Sequence, residues 1–350
     1  MRLSDPSKLV SRPIRVGILA NPASGRDIRR IISKASVFPT AEKCNMIQRL
    51  LGALTVCGVD EAWMMPDKGG IATVIKRFCQ TPEGKRLLPV HFTDTDIMET
   101  PEDTRLSVRA MVAAGIRAII VLGGDGTHRL VAEECGDIPM ATLSTGTNNS
   151  FPELREATLS GLAAGLVATE RLNLDDVTRG EKRLLVEVNG KTRGMALVDA
   201  CISADMFVAA KAVWQVEQIR ELYVTFASSE AIGLSSIASL VHPVGRDEDH
   251  GLGVQMNPEA TQKVMAPIAP GLFAQLGIER WDELQLGSSW APNIDRGVIA
   301  LDGEREIEFR AVDKVRLSLD RLGPRVIDVS KALVAAAKQG IMIQNCSIQI

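Results

Sequence analysis

The chain has 350 residues, of which 45% are hydrophobic and 24% charged, as is ordinary for a globular protein of one large or two modest domains. The net charge of −3 indicates that the protein has no broad basic surface, so we do not expect it to bind nucleic acid or an anionic membrane. The N-terminal stretch MRLSDPSKLVSRP lacks the apolar core of a signal peptide, and the longest uncharged stretch, 231–245, is too polar to be a membrane span. Six scattered cysteines form no Cys-x-x-Cys pair, so we expect reduced thiols and a cytoplasmic protein.

The first half of the chain alternates predicted strands and helices. Apolar strands are predicted at 14–20, 61–65, 87–92, 118–122 and 140–143. Helices are predicted after Gly25 and at 40–57, 71–78, 101–114 and 128–135, mostly by apolar periodicity and by glycines that end them. This alternation predicts a mostly parallel sheet covered by helices.

The segment AIIVLGGDGT, which ends at Thr127, predicts a buried strand that runs into a glycine-rich turn and a helix start. Three glycines surround one carboxylate, that of Asp125. They are Gly123, Gly124 and Gly126. Glycine lets backbone N–H groups approach a ligand closely, and a helix N-terminus adds the positive end of a dipole. Because ligands of open α/β sheets bind at the carboxyl ends of strands, this turn predicts an anion site, most often for phosphate.

Two more turns of small residues follow predicted strands. The first is Asn21-Pro22-Ala23-Ser24-Gly25, ahead of an arginine-rich helix; taken alone, it is equally compatible with a simple turn before a solvated basic helix. The second is Ser144-Thr145-Gly146-Thr147-Asn148-Asn149. Turns after parallel strands converge on one edge of a sheet, so their coincidence strengthens the phosphate-site hypothesis.

The second half predicts antiparallel β structure with inserted helices. One hairpin is predicted by strands at 183–188 and 194–202 around Asn189-Gly190, and another by strands at 298–301 and 305–309 around Asp302-Gly303. A strand at 315–319 and helices at 156–168 and 209–220 complete the pattern. The four histidines show no metal-ligand spacing, and no P-loop, Rossmann fingerprint or Gly-x-Ser-x-Gly elbow is present, which disfavours a dehydrogenase or a P-loop nucleotidase.

These motifs resemble the signature shared by NAD kinases and by diacylglycerol and sphingosine lipid kinases. The matching segments are, in chain order, Asn21-Pro22-x-Ser24-Gly25, Gly123-Gly124-Asp125-Gly126-Thr127, Gly146-Thr147-x-Asn149 and Asp302-Gly303-Glu304. The first and third segments look most similar to the AcoX-type proteins of acetoin-catabolism gene clusters. The resemblance covers most of the chain.

The resemblance implies an α/β fold with a Rossmann-like parallel-sheet domain at 1–147 and a β-rich antiparallel domain at 148–324. The segment 325–350 would return to the first domain, and the site would lie in the cleft between the two. We also expect a homo-oligomer that acts on small molecules.

By this resemblance, we expect a phosphotransferase that depends on ATP and on Mg²⁺ or another divalent metal, and that converts NAD into NADP at the 2′-hydroxyl of the adenosine ribose. Asp125 would accept the hydroxyl proton or bind Mg²⁺, with its carboxylate exposed at the mouth of the cleft. The expected phosphate-binding residues are Asn21, Ser24, Gly25, Gly123, Gly124, Gly126, Thr127, Gly146, Thr147, Asn148 and Asn149. The expected substrate-binding residues are Asp199, Gly233, Ser235, Ser236, Asp302 and Glu304.

Departures from the family pattern leave two alternatives open. NAD kinases carry an Asn-acid pair where this chain has Val198-Asp199, which allows a non-catalytic sensor of NAD(H) or another nucleotide. The other alternative is a lipid or small-polyol kinase of the diacylglycerol kinase type, although lipid kinases have Asp where this chain has Ser150. Its apolar mouth would be lined by Phe207, Trp214, Leu222, Tyr223 and Phe226, although such residues are more often core.

Overall fold

The computed structural model of the protein describes residues 12–24, 38–146, 149–204 and 216–343. As far as residue 180, the described strands are β1 (Arg15–Ala20), β2 (Glu61–Met64), β3 (Val90–Phe92), β4 (Ile116–Gly123), β5 (Met140–Ser144) and β6 (Thr178–Gly180). The helices of this part are α1 (Thr40–Cys57), α2 (Ile71–Phe78), α3 (Pro101–Ala113), α4 (Asp125–Ala132), α5 (Ala157–Ala168) and α6 (Leu174–Val177).

The remainder is mainly strand. The strands are β7 (Arg183–Val188), β8 (Lys191–Ala196), β9 (Asp199–Ser203), β10 (Ile219–Val224), β11 (His250–Met256), β12 (Gln262–Ala269), β13 (Leu272–Gln285), β14 (Ser289–Trp290), β15 (Gly297–Leu301), β16 (Glu304–Phe309), β17 (Val315–Asp320) and β18 (Arg325–Ile327). The helices are α7 (Ser235–Val241) and α8 (Val329–Lys338).

The first sheet has the order β3-β2-β1-β4-β5-β18-β6, and its strands are parallel except for β6. Its central strand β4 is buried on both faces: Ile120 and Leu122 pack under α1 and α5, whereas Ile119 and Val121 pack on the opposite side. Successive side chains of a strand point to opposite faces, so a strand covered on both sides needs the unbroken apolar run seen here.

Two antiparallel sheets contain the described strands from β7 to β17. Their orders are β12-β13-β11-β10-β9-β15-β16 and β14-β17-β7-β8, and apolar side chains of the two sheets pack against each other. The predicted fold class, a parallel α/β part followed by a β-rich antiparallel part, is confirmed. Both hairpin turns place two consecutive residues at positive φ, Asn189-Gly190 and Asp302-Gly303, as tight two-residue hairpins require.

The two halves share one apolar cluster. Val121 and Met140 of the first sheet pack with Phe151, Val198 and Phe226 of the following part. The strand β18 lies in the first sheet between β5 and β6, and α8 packs in the same core as α1 and α5. The domain limits themselves stay a prediction. None of the helices in the described ranges combines the length and apolarity needed to cross a bilayer.

Three predicted elements were wrong. The helix expected at 128–135, opened by Thr127, begins at Asp125 and ends at Ala132, because the N-cap is Gly124. The strand expected at 194–202 is two strands in different sheets, β8 and β9, since the chain crosses over at Leu197 and Val198. Residues 219 and 220, expected to end a helix, begin β10; the part of that helix at 209–215 and the helix after Gly25 lie outside the described residues.

Candidate functional site

The turns after β1, β4 and β5 meet at the carboxyl edge of the first sheet. In the parallel register Ala20 lies beside Leu122, and Gly123 lies beside Ser144, so the three strands end at the same level. The backbone N–H of Asn21 donates to Leu122 O at 3.0 Å, and that of Thr145 donates to Gly123 O at 3.1 Å. The fold therefore places three glycine- and hydroxyl-rich turns side by side.

Side chains also connect these turns. The Asn21 amide donates to the Thr127 hydroxyl at 2.9 Å, and the hydroxyls of Ser24 and Thr145 are 2.8 Å apart. Lys43, which sequence reasoning missed, is buried in α1, and its Nζ donates to the carbonyl oxygens of Asn21 and Ser24 at 2.8 Å each. A lysine inside an otherwise apolar helix face was the available signal, because a buried ammonium needs oxygen partners.

Asp125 is the first residue of α4, and backbone N–H groups hold its carboxylate. Ser150 N–H reaches Oδ1 at 3.1 Å and Oδ2 at 3.0 Å, and Phe151 N–H donates to Oδ1 at 2.9 Å. Burial, with a contribution from the nearby Asp302 carboxylate, raises the pKa of Asp125 to about 7. The residue is only partly exposed, so the expectation of an open carboxylate at the cleft mouth is not met. Its oxygens are bound by the turn that follows β5.

The glycines of this turn are needed for space rather than for backbone conformation. Gly124 has φ −96° and ψ −176°, and neither Gly123 nor Gly126 has a positive φ. A Cβ on Gly124 would lie 2.9 Å from Asn149 Oδ1, and one on Gly146 would lie 2.6 Å from the same amide group. The Asn149 amide therefore lies over two glycines, and its Nδ2 donates to Ser144 Oγ at 2.7 Å.

Arg246 is a second residue that the sequence did not reveal. Its guanidinium donates to the carbonyl oxygens of Ser150 at 2.7 Å and Phe151 at 2.9 Å, and it lies 3.9 Å from the ring centroid of Phe226. Burial lowers the pKa of Arg246, while the buried Glu181 carboxylate, 3.4 Å from Nη1, opposes that shift. Arg246 lies in a polar loop with no motif, so nothing in the sequence singled it out.

His128 fixes the start of α4 from the inside. It is fully buried, and its Nδ1 lies 2.8 Å from Gly124 O, which makes Nδ1 the protonated nitrogen because a carbonyl can only accept. Burial lowers the pKa of His128 to about 4. The ring is therefore neutral at pH 7 and has a structural contact rather than a ligand-binding one.

A cavity of about 300 Å³ opens beside these turns. Four predicted site residues line it: Asn21, Gly126, Thr127 and Glu304. The other walls come from the segments that follow β2 and precede α3, and they include Lys68 and Glu99. Asp67 and Asp103 also reach the wall, but their carboxylates cap α2 and α3. Asp125 adjoins Gly126 without lining the cavity itself.

Asp302 and Asp199 form a separate buried group. The Asp302 carboxylate accepts the N–H groups of Leu197, Val198 and Asp199 at 2.8–3.2 Å, where the chain crosses from β8 to β9. Burial raises the pKa of Asp302, and the Arg129 guanidinium, 3.5 Å away, lowers it. In the structure these contacts hold the crossover, and the substrate roles expected for Asp199 and Asp302 stay predictions.

The segment around α7 meets the Asp125 turn through one hydroxyl pair. Ser235 Oγ lies 2.9 Å from Ser150 Oγ. Ser236 Oγ instead donates to Gly233 O at 2.6 Å, within its own turn, where Gly233 has φ +97°. Ser235 is thus beside the Asp125 turn, whereas Ser236 and Gly233 shape the start of α7.

Several expected residues cannot be placed. Gly25, Thr147 and Asn148 lie outside the described residues, as do Phe207 and Trp214 of the hypothetical lipid mouth. The other members of that mouth, Leu222, Tyr223 and Phe226, are at most 5% exposed. They belong to the core and offer no surface to a lipid.

Comparison with known proteins agrees with this architecture. Residues 16–171 match the family model described as ATP-NAD kinase N-terminal domain, and residues 182–322 match the model described as acetoin catabolism protein X C-terminal domain. The acetoin catabolism protein X of Cupriavidus necator (strain H16) is 43% identical over 335 residues, which are 93% of each chain. The chain belongs to the AcoX-type, NAD kinase-like family.

Within this AcoX-type protein, the site draws on both matched regions. Asp125, Asn149 and the turns after β1 and β5 lie in the NAD kinase-like region, whereas Arg246 and Glu304 lie in the AcoX-specific region. The contact between Arg246 and the carbonyls of Ser150 and Phe151 therefore joins the two regions directly at the Asp125 turn.

Proposed function

We propose that this protein is an ATP-dependent phosphotransferase that phosphorylates the 2′-hydroxyl of the adenosine ribose of NAD to give NADP. The observation that supports it best is the position of Asp125. This carboxylate, with a pKa raised to about 7, stands at the N-terminus of α4, where three small-residue turns meet beside a 300 Å³ cavity. Family membership supports the reaction class.

The turns would bind the polyphosphate of ATP. Phosphoryl transfer depends mainly on positioning and on neutralising charge, which backbone N–H groups at a helix N-terminus can supply. Gly126 and Thr127 present the first turn of α4 to the cavity, and Asn21 reaches Thr127 from β1. Asn149, held against Gly124 by Ser144, would orient the ribose or a phosphate oxygen.

Asp125 would act as the general base. A base works best when its pKa lies near the working pH, and an ordinary aspartate with a pKa near 4 would be too weak. Burial in the turn raises the pKa of Asp125 to about 7, while Ser150 and Phe151 hold its carboxylate in one orientation. The carboxylate would then accept the proton of the ribose hydroxyl during transfer.

The donor set also suits Mg²⁺. Mg²⁺ prefers hard oxygen ligands, usually one or two carboxylates together with substrate phosphates. Glu304 Oε1 lies 3.3 Å from the position of a Cβ on Gly126, the residue that follows Asp125 in the chain. Asp125 or Glu304 would hold the ion, which when bound neutralises charge on the transferred phosphate.

A nucleotide-binding protein without catalysis is the second candidate. Val198 replaces the Asn of NAD kinases, and its side chain is only 1% exposed in the shared apolar cluster, where it cannot contact an adenosine. NAD would then be recognised by other groups or would bind without reaction.

The test is NADP formation from Mg-ATP and NAD by the purified protein. We expect turnover that Asp125→Asn reduces and that Asp137→Asn leaves unchanged, because Asp137 is exposed just beyond α4. Calorimetric binding of NAD or ATP without NADP would favour the sensor, and neither binding nor turnover would contradict both candidates. The relative's name points to acetoin catabolism, and we propose the same setting here. A homo-oligomer in the cytoplasm stays a prediction.

A further inference from the structure

Two histidines and a glutamate lie close together on one face of the sheet that contains β11 and β13. One side-chain donor atom from each of His242, His250 and Glu283 lies within 4.8 Å of the other two. His242 Nε2 and Glu283 Oε1 are 3.9 Å apart. The spacing of the histidines along the sequence did not indicate this cluster, because long-range strand pairing produces it.

The fold explains the convergence. His242 follows the last residue of α7 and caps it with an N–H bond to Ala238 O. His250 is the first residue of β11, which pairs with β13 in the register His250–Gln285 and Leu252–Glu283. Glu283 is two residues from Gln285, so its side chain points to the same face as that of His250. The helix α7 packs on this face, so His242 at its C-terminal end lies close to His250 and Glu283.

Neighbouring side chains orient the two rings. His242 stacks on Trp281, with the ring centroids 4.5 Å apart and the planes 13° from parallel. His250 Nε2 is 3.6 Å from Glu248 Oε2, which itself accepts the Gly245 N–H at 2.9 Å. At 3.6 Å the two groups form no hydrogen bond, but Glu248 lies where a metal-binding imidazole commonly donates its second N–H to a carboxylate outside the ligand set. All three donors are partly exposed, which leaves an entry path for an ion.

We propose that His242, His250 and Glu283 bind a divalent transition-metal ion of the Zn²⁺ class. Two imidazoles and one carboxylate are a donor set that suits Zn²⁺, whereas Mg²⁺ and Ca²⁺ prefer oxygen ligands alone. Bonds of about 2.0–2.2 Å to a tetrahedral ion place ligand atoms roughly 3.3 Å apart. The His242 and Glu283 donors, now 3.9 Å apart, therefore need to close by about 0.6 Å, and the other pairs, within 4.8 Å, by up to about 1.5 Å. Partly exposed side chains can do so by small rotations, and water completes the coordination.

The metal would act on the loop that carries Arg246. His242 and His250 delimit residues 243–249, and Lys182 holds this loop from inside through the carbonyl oxygens of Gly245, Glu248 and His250. An ion bound by both histidines would link the two ends of this loop and so restrain Arg246 within it. The ligands do not line the 300 Å³ cavity, so the role is structural, and the site does not depend on phosphotransferase activity.

The test begins with chelator-treated full-length protein titrated with ZnCl₂ and, separately, with CoCl₂. We expect one equivalent of Zn²⁺ per chain and the intense visible absorption of four-coordinate Co²⁺. Replacing a carboxylate outside the ligand set typically weakens metal binding about 10–100-fold, so His242→Ala or His250→Ala should weaken it by at least ~100-fold. Glu283→Gln should weaken it too.

His91→Ala is the matched control. His91 is an exposed histidine that also lies beside a tryptophan, Trp63, with ring centroids 5.5 Å apart and the planes 30° from parallel, and its replacement should leave Zn²⁺ affinity unchanged. On addition of Zn²⁺, hydrogen exchange at residues 243–249 should slow in wild-type protein and in the His91→Ala variant. It should not change in the His242→Ala and His250→Ala variants. Unfolding curves without metal show whether each variant folds. If wild-type protein and a folded His242→Ala/His250→Ala double variant titrate identically, the site does not exist.

Discussion

Arg246 and Asp125 both bind the backbone of Ser150 and Phe151. Arg246 donates to the carbonyl oxygens of Ser150 and Phe151, and Asp125 accepts from the N–H groups of these same residues. A cation from the second half of the chain therefore positions the carboxylate of the first half through the backbone. The positive charge of Arg246 also lowers the pKa of Asp125, against the larger effect of burial.

Arg246→Met should lower stability and change the pH dependence of the reaction. The substitution leaves two buried carbonyls and the Glu181 carboxylate with fewer partners, which should cost about 2–5 kcal/mol in the free energy of unfolding. Losing the cation should also raise the pKa of Asp125, so the rise of kcat/KM should move to higher pH. Arg246→Lys keeps the charge without the planar fork and should shift that profile less. An unchanged profile in a folded Arg246→Met protein would contradict the positioning role.

Asp125→Asn should reduce turnover by about 100-fold or more, the scale of a lost general base. In wild-type protein kcat/KM for NAD should rise with pH and level off above about pH 7, as the carboxylate loses its proton. The measurement is initial rates of NADP formation from pH 5 to 9, with Asp137→Asn as the control. Full activity of Asp125→Asn would remove this carboxylate from the mechanism.

The same carboxylate should affect stability in a pH-dependent way. Its pKa is raised from 3.8 to about 7, so its contribution is fully present below about pH 4 and is lost as pH rises through 7. The difference corresponds to as much as about 4 kcal/mol at 1.36 kcal/mol per pH unit. Denaturant unfolding at pH 4 to 8 should show wild-type protein losing stability relative to Asp125→Asn. A constant difference across this range would mean that Asp125 has an ordinary pKa.

His128 should act in the opposite direction. Its pKa is lowered from 6.5 to about 4, so its contribution is present above pH 6.5 and is lost as pH falls towards 4. The loss is about 3 kcal/mol at most. His128→Asn keeps an N–H donor near Gly124 O and should flatten this part of the curve, as measured by unfolding at pH 4 to 7. The exposed His91→Asn should behave like wild-type protein.

Gly124→Ala should weaken nucleotide binding by displacing Asn149. The new Cβ would lie 2.9 Å from Asn149 Oδ1, so the amide must move and loses its bond to Ser144, at a cost of about 1–2 kcal/mol. Gly52→Ala is the control: Gly52 lies inside α1 with no atom within 4 Å of an added Cβ. It should stabilise the protein by about 0.5–1 kcal/mol and leave calorimetric ATP binding unchanged. Equal ATP affinities for the two variants would show that Asn149 does not contribute.

Local patterns in the sequence determined most of the elements. The i, i+3, i+4 spacing of Ile47, Leu50, Leu51 and Leu54 predicted α1, and Gly58 at φ +83° ends it as glycine does. The turn after β4 was also predictable, because an apolar run followed by three glycines and an acid is typical of a buried strand that ends in a ligand-binding turn. Apolar periodicity is a local signal, because it arises whenever one face of a helix or strand is buried, whatever element covers that face.

Tertiary structure decided which distant residues meet. The pattern of apolar residues could not show that β8 and β9 belong to different sheets. A strand buries the same apolar side chains whichever sheet it joins, so the pattern is the same in both cases. The sequence also held no sign that Arg246 would reach Ser150, or that His242 and His250 would meet Glu283, because strand register and helix packing set these contacts. Asp125 was identified as the central carboxylate from the sequence. Its raised pKa came only with the fold, because burial outweighs the two peptide N–H groups that lower the pKa.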